Sequence, residues 1–521
     1  MSALPARTMR SAPLPSGTVP ALLVLAFGLA VVFLRPPLPI DETRYLEVFR
    51  ESLRGSPLLL RLSGEPYAEK PPLLFWLARA LTWLSVLPDF ALRCLPPLAL
   101  AGTVLFTERL GRRIGLTLAG WLQAALLIAT VSGQFLHFDP LVALAVWGAM
   151  DAWVRRSDAG FLAWSAAALL AKGPVAYLFL IPFLWSLAPL RAWRAGDSAR
   201  SALALGLALI PLAAWALAAA AQGGEEFAQA LLWDRWVGRV ADTAHHPRAW
   251  YFYVPVVLVG SLPATFLLFQ RKDRVDEGAA REWSTRLGRM LLLVFLLFTL
   301  IRGKQAHYLE PAVPGLALLL AWRIESRPHE LAWLRGGIRV QLGLLLGLAL
   351  LGILLVPRAE ASVGTHGRRL IAQAGHALPL LIAAGTALVG LVATGRKRLS
   401  SHALLSAAAI WASACLLPFQ WLAGELLFPH DLARALRSNP TEAAYLGSSH
   451  HGIYAFLASV PVLEKLDDAS QLAAWSELHP EGLLLIDQQA LVEELPSGLV
   501  VVARDVVHRT PVVVLRRGSD P

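Results

Sequence analysis

The chain is divided into apolar runs separated by short, arginine-rich gaps, and nothing else in the sequence limits its fold as strongly. The runs occupy 19–34, 91–110, 115–133, 140–154, 160–171, 174–190, 201–221, 251–269, 287–301, 309–323, 338–356, 377–394 and 402–423. A helix needs about 20 apolar residues to cross a bilayer, somewhat fewer when its basic flanks snorkel to the headgroups. About 13 segments meet that requirement by hydropathy; 140–154 and 160–171 are the shortest of them. Of the 521 residues 56% are hydrophobic and only 16% charged, where soluble domains carry about 25% charge. The expected fold class is an α-helical polytopic membrane protein.

The run 71–87 (PPLLFWLARALTWLSVL) is also apolar, and counting it as a span would flip every later loop. Leaving it out puts Arg112/Arg113, Arg155/Arg156, Arg191/Arg194/Arg200, Arg271/Lys272/Arg274, Arg323/Arg327/Arg335/Arg339 and Arg396/Lys397/Arg398 on the side of the N-terminus. That is the positive-inside arrangement. The segment is therefore read as an interfacial helix on the outer leaflet, with Pro71 and Pro72 in its first turn. The net charge of +10 then reflects membrane orientation. No zinc-finger spacing, RNP-like motif or basic repeat accompanies it, so nucleic acid is not an expected partner. Arg7 and Arg10 ahead of 19–34 read as the flank of a retained first helix rather than a cleaved signal. Cys94 and Cys415 lie inside apolar runs and read as small buried hydrophobes.

On this topology the outer side receives a 35–90 loop, the short 134–139 loop, Lys172 and Gly173, the 222–250 loop, residues 302–307, a 357–376 loop and the C-terminal tail. From about Pro429 the pattern changes. Short apolar runs (443–446, 482–486, 499–503, 511–515) alternate with helical patterns such as 471–478, as expected of a small α/β domain outside the membrane. The expected division is a transmembrane domain over 1–428 and an outer C-terminal domain over 429–521.

Nearly every polar constellation falls on that outer face. Asp41 and Glu42 open the helical stretch TRYLEVFRESL; a carboxylate there can take a proton from a hydroxyl, while helix capping is the plainer account of an isolated Asp. Glu69 and Lys70 precede Pro71, and the ammonium suits a phosphate, the carboxylate a metal or its neighbour; a surface ion pair is the plainer account. Asp139, beside His137, is a lone acid between two apolar runs, functional by default in such a place or else a helix cap before Pro140. Lys172 in LLAKGPVAYLF either snorkels or contacts a lipid phosphate. The 222–250 loop brings Trp233, Asp234, Arg235, Trp236, Arg239, Asp242, His245, His246 and Arg248; its aromatics suit an interfacial belt, and one of the adjacent histidines can serve a metal. Arg302, Lys304, His307 and Tyr308 follow in IRGKQAHYLEP. Three potential cations on the outer face run against the orientation rule and point to a bound anion such as a lipid phosphate or pyrophosphate.

The stretch DETRYLEVFRESLRGSPLLLRLSGEPYAEKPPLLFWL resembles the first outer loop of the bacterial GT-C glycosyltransferases in the aminoarabinose-transferase and protein-mannosyltransferase superfamily. Lys172–Gly173–Pro174, the run HHPRAWYFYVP and RGKQAHYLEP are similar to later landmarks of that branch. The resemblance implies an inverting transferase that moves a sugar from a polyprenyl-phosphate donor to a glycolipid, protein or other envelope acceptor at the periplasmic face of the inner membrane. By position it implies Asp41 and Asp139 as catalytic acids. Arg44, Lys70, Lys172, Lys304 and Tyr308 would hold the donor phosphate and lipid, and Glu42, Tyr45 and Tyr67 would line the pocket. A divalent cation is implied, with Glu69 and His245 or His246 as ligands; Arg235 stands where a further ligand histidine would align. No nucleotide cofactor is expected, since no Walker-type or dinucleotide loop occurs. Two other readings remain open at this point. One is a flippase of lipid-linked sugars, which paired, broken spans in inverted repeats would favour, although no repeat is seen. The other is a non-catalytic protein working through its C-terminal domain.

Overall fold

The computed structural model describes residues 18–191, 196–232, 248–270, 279–301, 303–395, 399–437, 442–447, 452–460, 463–487, 498–507 and 510–518. The first half of the chain forms α1 (Thr18–Leu34), α2 (Asp41–Arg54), a hairpin of β1 (Arg61–Leu62) and β2 (Glu65–Pro66), α3 (Leu73–Thr82), α4 (Pro88–Arg93), α5 (Leu95–Arg113), α6 (Ala119–Ala125), α7 (Leu127–Ser132), α8 (Asp139–Val154), α9 (Asp158–Lys172) and α10 (Tyr177–Arg191). There follow α11 (Asp197–Leu207), α12 (Leu209–Gly223), α13 (Glu225–Gln229), α14 (Tyr253–Gly260), α15 (Ala279–Leu300), α16 (Val313–Ser326) and α17 (Leu331–Leu355). The last helices are α18 (Thr365–Ala372), α19 (Ala377–Thr394), α20 (Ser401–Leu427) and α21 (His430–Arg437), and then the C-terminal sheet begins.

Seven stretches among the described residues are long and apolar enough to cross a bilayer: Pro88–Arg113, Asp158–Ala188, Asp197–Gly223, Glu282–Leu300, Leu331–Glu360, Ala377–Thr394 and Ser401–Leu427. The chain is a multi-pass membrane protein. The tally of about 13 spans also counted shorter elements, such as α1 with 17 residues, α8 with 16 and α16 with 14. Leucines such as Leu300, Leu348 and Leu354 face outward from α15 and α17, as a lipid-covered surface requires.

Two expected spans are not simple rods, and two others meet at a glycine break. The 115–133 run breaks at Leu126, whose extended backbone separates α6 from α7, and the freed amide of Leu127 donates to the Leu262 carbonyl at 2.9 Å. The 251–269 run likewise gives only α14 followed by 3-10 turns. Irregular backbone is tolerable at membrane depth when neighbouring protein takes up its polar groups. The apolar length Asp158–Ala188 is interrupted at Gly173, with φ +78° and ψ −162°, a conformation essentially reserved to glycine. Lys172, the last residue of α9, is presented at that break.

The ten residues of α3 span about 15 Å, too short to cross the hydrocarbon, and Leu74, Phe75 and Ala78 bury one of its faces. The described helix within 71–87 is thus too short to be a span on its own.

The helix α8 sets the scale of the molecule. Two buried aspartates, Asp139 and Asp151, stand about 18 Å apart along its 16 residues. At one end Asp151 accepts from Arg155 at 2.8 Å and Arg109 at 3.3 Å, with Arg113 at 3.9 Å. At the other end stands Asp139. Both the arginine-bearing face and the opposite face are thereby pinned to one helix.

The C-terminal part builds β3 (Ala443–Leu446), α22 (Ile453–Ala458), β4 (Glu464–Leu466), α23 (Ser470–Leu478), β5 (Leu483–Ile486), β6 (Leu499–Val507) and β7 (Thr510–Arg517). The five strands lie in the order β4-β3-β5-β7-β6. The first three are parallel to one another, whereas β7 runs antiparallel to β5 and β6. In β3 and β5 every residue is buried, the continuous apolar pattern of strands covered on both faces. A small mixed α/β unit is thus present.

Candidate active site opposite the arginine face

Two polar groupings meet around Phe138. The first belongs to α2 and the hairpin loop. Asp41 and Glu42 occupy the first turn of α2, where carboxylates complement the helix dipole. The Asp41 side chain is 58% exposed and ion-paired with Arg44. The Arg44 guanidinium lies 3.7 Å from Glu69 Oε2 and 5.3 Å from the Tyr45 ring centre. The Tyr67 hydroxyl donates to Glu69 at 3.4 Å. Burial pushes the hydroxyls of Tyr45 and Tyr67 well above the ordinary phenolic range, so both are neutral donors.

The second grouping surrounds Asp139, which is 3% exposed. The Lys172 ammonium reaches its carboxylate at 2.6 Å and sits 4.3 Å from the Tyr308 ring centre. His137 Nδ1 and His307 Nε2 approach the other oxygen at 3.6 and 3.7 Å, and the two imidazoles stack at 4.6 Å. Glu310, on the 3-10 turn before α16, lies 3.7 Å from His137. Burial would raise the Asp139 carboxyl, but the charge of Lys172, with His307 and His137 beside it, holds it far below the usual carboxylate range. For His307 burial wins and drives the imidazole down to about 3. His137 is raised above its ordinary value despite burial, by its hydrogen bond to Asp139 and the charge of Glu310.

Phe138 joins the two groupings. Tyr45 meets its ring edge-on at 5.1 Å, Phe75 at 5.9 Å, and the Lys70 ammonium stands 5.8 Å from the ring centre. The structure therefore brings Asp41, Arg44, Tyr45, Tyr67, Glu69, Lys70, Asp139, Lys172 and Tyr308 to one face of the molecule.

Several expectations need correcting. Glu42 does not line a pocket: at 4% exposure it is clasped by Arg35 through two bonds of 2.8 Å and accepts from the amides of Leu38 at 2.8 Å and Leu136 at 3.0 Å. Burial would raise its carboxyl, yet the Arg35 guanidinium holds it at about 2. Its work is to tie the first loop to the second. His307 is not a cation, because burial leaves it neutral. Lys304 is 3% exposed and donates to the Arg248 carbonyl at 3.5 Å. His245 and His246 lie outside the described residues, as do Trp233, Asp234, Arg235, Trp236, Arg239, Asp242 and Arg302.

Sequence reasoning missed Arg35, Phe138 and Glu310. An acid inside the 309–323 apolar run was the available signal for Glu310. For Arg35 and Phe138 no local signal exists, because their partners are distant in sequence.

Glu69 is engaged by a guanidinium and a phenol, and among the described residues it belongs to no cluster of three or more ligand-type side chains. Two surface cavities, one lined by Pro57, Leu58, Trp76, Arg79 and Trp83 and one between α2, α4 and Ser459, flank α2 and α3; neither is lined by Asp139 or Glu69.

No family model matches the sequence. An undecaprenyl phosphate-alpha-4-amino-4-deoxy-L-arabinose arabinosyl transferase of Pseudomonas aeruginosa is 33% identical over 373 residues, 64% of each chain. The protein of the same description from Edwardsiella ictaluri is 28% identical over 491 residues, 83% of each chain. The chain thus spans 64%, just under two thirds, of the length of the first of these curated relatives. Among solved structures, ArnT from Cupriavidus metallidurans in the apo state superposes with a TM-score of 0.71 at 19% identity, covering 96% of this chain and 98% of that one. The same protein bound to undecaprenyl phosphate gives 0.70 at 20% identity with equal coverage. The fold is that of ArnT over nearly the whole chain. Taken together, the chain is similar in sequence to bacterial aminoarabinose transferases over 64% of its length and shares the ArnT fold over nearly all of it.

Proposed function

We propose that the protein is an inverting glycosyltransferase that moves a sugar from undecaprenyl phosphate to an acceptor on the periplasmic face of the bacterial inner membrane. The names of its sequence relatives make 4-amino-4-deoxy-L-arabinose the first donor sugar to test, and a lipid A-like glycolipid is the matching acceptor. One observation supports the reading most strongly. A solvent-facing carboxylate, Asp41, stands on α2 beside cations that are anchored to the same face, Arg44 by Glu69 and Lys172 by Asp139.

The chemistry asks little of the protein beyond placement and charge. The donor is activated, since its leaving group is a phosphate. The acceptor oxygen forms a bond to the anomeric carbon as the bond from that carbon to the phosphate oxygen breaks, so the configuration inverts. Asp41 takes the acceptor proton. Arg44, Lys70 and Lys172 meet the charge that grows on the departing undecaprenyl phosphate. Asp139 acts one step back: fully ion-paired and 3% exposed, it fixes Lys172 rather than taking a proton. The neutral Tyr45 and Tyr67 hydroxyls suit uncharged sugar oxygens. A divalent cation held by Glu69 with His245 or His246 would add positive charge at the phosphate, but no step depends on it.

The test uses the full chain in liposomes with undecaprenyl-phosphate aminoarabinose and lipid A, and product formation followed by mass spectrometry. Asp41→Asn is expected to slow transfer by about 100-fold or more with an unchanged melting temperature. Full activity in that variant would refute the role of Asp41. If no sugar leaves any undecaprenyl-phosphate donor, the transferase reading itself fails.

A further inference from the structure

A second set of ligand-type side chains lies away from the Asp139 grouping, where the membrane helices hand the chain to the C-terminal unit. His366 comes from the first turn of α18, Glu425 from the last turn of α20 and His430 from the first residue of α21. Their ligand atoms all lie within 4.8 Å of one another. His366 Nε2 stands 3.0 Å and His430 Nε2 3.5 Å from the same oxygen, Glu425 Oε2. Two donors bound to a tetrahedral zinc ion at about 2.0–2.1 Å are about 3.3–3.4 Å apart, and the two histidine-to-carboxylate spacings lie on either side of that value.

As a hydrogen-bonded trio the arrangement is poor. Both imidazoles direct the same nitrogen at one carboxylate oxygen, and His430 Nε2 is buried without a hydrogen-bond partner. A buried polar atom left unpaired is costly. The two imidazole rings also stand 4.1 Å apart, which places their nitrogens close enough to share one ion. A cation satisfies the orphaned nitrogen and both lone pairs at once.

We propose that His366, Glu425 and His430 bind a divalent transition-metal ion of the zinc class, with water as the fourth ligand. Two imidazoles and one carboxylate match that class, whereas an all-oxygen set would suit magnesium or calcium. The position gives the ion a structural task. The Asp505 carboxylate from β6 accepts from the amides of Asp431 and Leu432 at 3.2 and 3.1 Å, and Thr365 donates to the Arg504 carbonyl at 3.2 Å. A Cβ on Gly424, next to Glu425, would meet Arg35 and Pro36. The ion therefore fastens the C-terminal unit and α18 to α20 at the level where Arg35 clasps Glu42.

The measurement is made on the full-length protein in detergent, stripped with EDTA and then titrated with zinc or cobalt(II). Wild type should regain one more molar equivalent of zinc than the His366→Ala/His430→Ala variant and develop the visible absorption of four-coordinate cobalt(II), which the variant lacks. Because the double substitution removes two partly buried rings, Glu425→Gln serves as the isosteric control. It should lose the same equivalent while its metal-free melting temperature stays at the wild-type value. Zinc should raise the melting temperature of wild type and leave that of both variants unchanged, since only a folded site gains from ligand. Equal stoichiometry and spectra in wild type and Glu425→Gln, or no zinc regained by wild type, would overturn the site. Because the readout is metal content and stability, it stands or falls independently of the transfer reaction.

Discussion

Asp139 and Lys172 show most plainly what a side chain's surroundings do to its role. A pair buried this deeply is a poor source of net stability, but breaking it by removing one partner leaves an uncompensated charge. Asp139→Asn is expected to cost about 3–5 kcal/mol, seen as a lowered melting temperature, and to lower transfer because Lys172 is no longer held over Tyr308. Asp139→Leu combined with Lys172→Met should recover the stability and not the activity. On α2 two buried glutamates titrate in opposite directions. Glu42 is held at about 2, below its ordinary 4.5, so its contribution is complete above pH 4.5 and is lost as pH falls toward 2. Glu47, 3% exposed, is pushed by burial up to about 7, and Arg50 only partly opposes this. In the folded chain it keeps its proton between about pH 4.5 and 7 while the unfolded chain ionises, so stability falls as pH rises through that window. Glu42→Gln should flatten the acid side of a stability profile, and Glu47→Gln should raise the melting temperature at alkaline pH with little effect near pH 4. Asp41, Asp139 and Lys172 were legible in the sequence because charge beside an apolar run is rarely accidental. The different fates of Glu42 and Glu47 were not, since both look like ordinary residues of an amphipathic helix.

At the scale of elements, the break between α9 and α10 delivers Lys172 to Asp139. Gly173 holds φ +78° and ψ −162°, and a Cβ there would meet nothing within 4 Å. The cost of Gly173→Ala is therefore conformational, about 1–3 kcal/mol, and either the chain strains or Lys172 moves. A lower melting temperature together with a reduced transfer rate is expected. Gly173→Asn should do no better, because this backbone lies outside the left-handed helical region that Asn tolerates. The sequence showed two apolar runs meeting at Lys172 and Gly173, which located the turn. It did not show the break of 115–133 at Leu126, because that break is repaired by a carbonyl at Leu262, far away along the chain.

At the scale of the molecule, the C-terminal unit rests directly on the site helix. Arg50 on α2 donates to the Phe456 carbonyl at 2.9 Å, lies 4.2 Å from the Phe456 ring centre and pairs with Asp89 at 2.7 Å. Gly452, at φ +76°, approaches so closely that a Cβ would fall 2.6 Å from Leu62 and 3.3 Å from the Arg44 Cα. Gly452→Val should destabilise the protein by about 1–3 kcal/mol and reduce transfer, since relief of that clash displaces the backbone that carries Arg44. Thermal melts and initial rates on the same preparation check both effects.

Hydropathy and arginine placement alone determined a polytopic helical protein and the change to an α/β pattern near Pro429. These properties follow from the solvent each segment meets, and solvent preference is written locally in side chains. Which charges would be satisfied, and by whom, was decided only by the tertiary structure. Glu42 finds Arg35 and the Leu136 amide, His307 loses its proton to burial, and His366, Glu425 and His430 converge from three helices. A buried charge takes its state from neighbours brought close by packing, and no local window of sequence contains them.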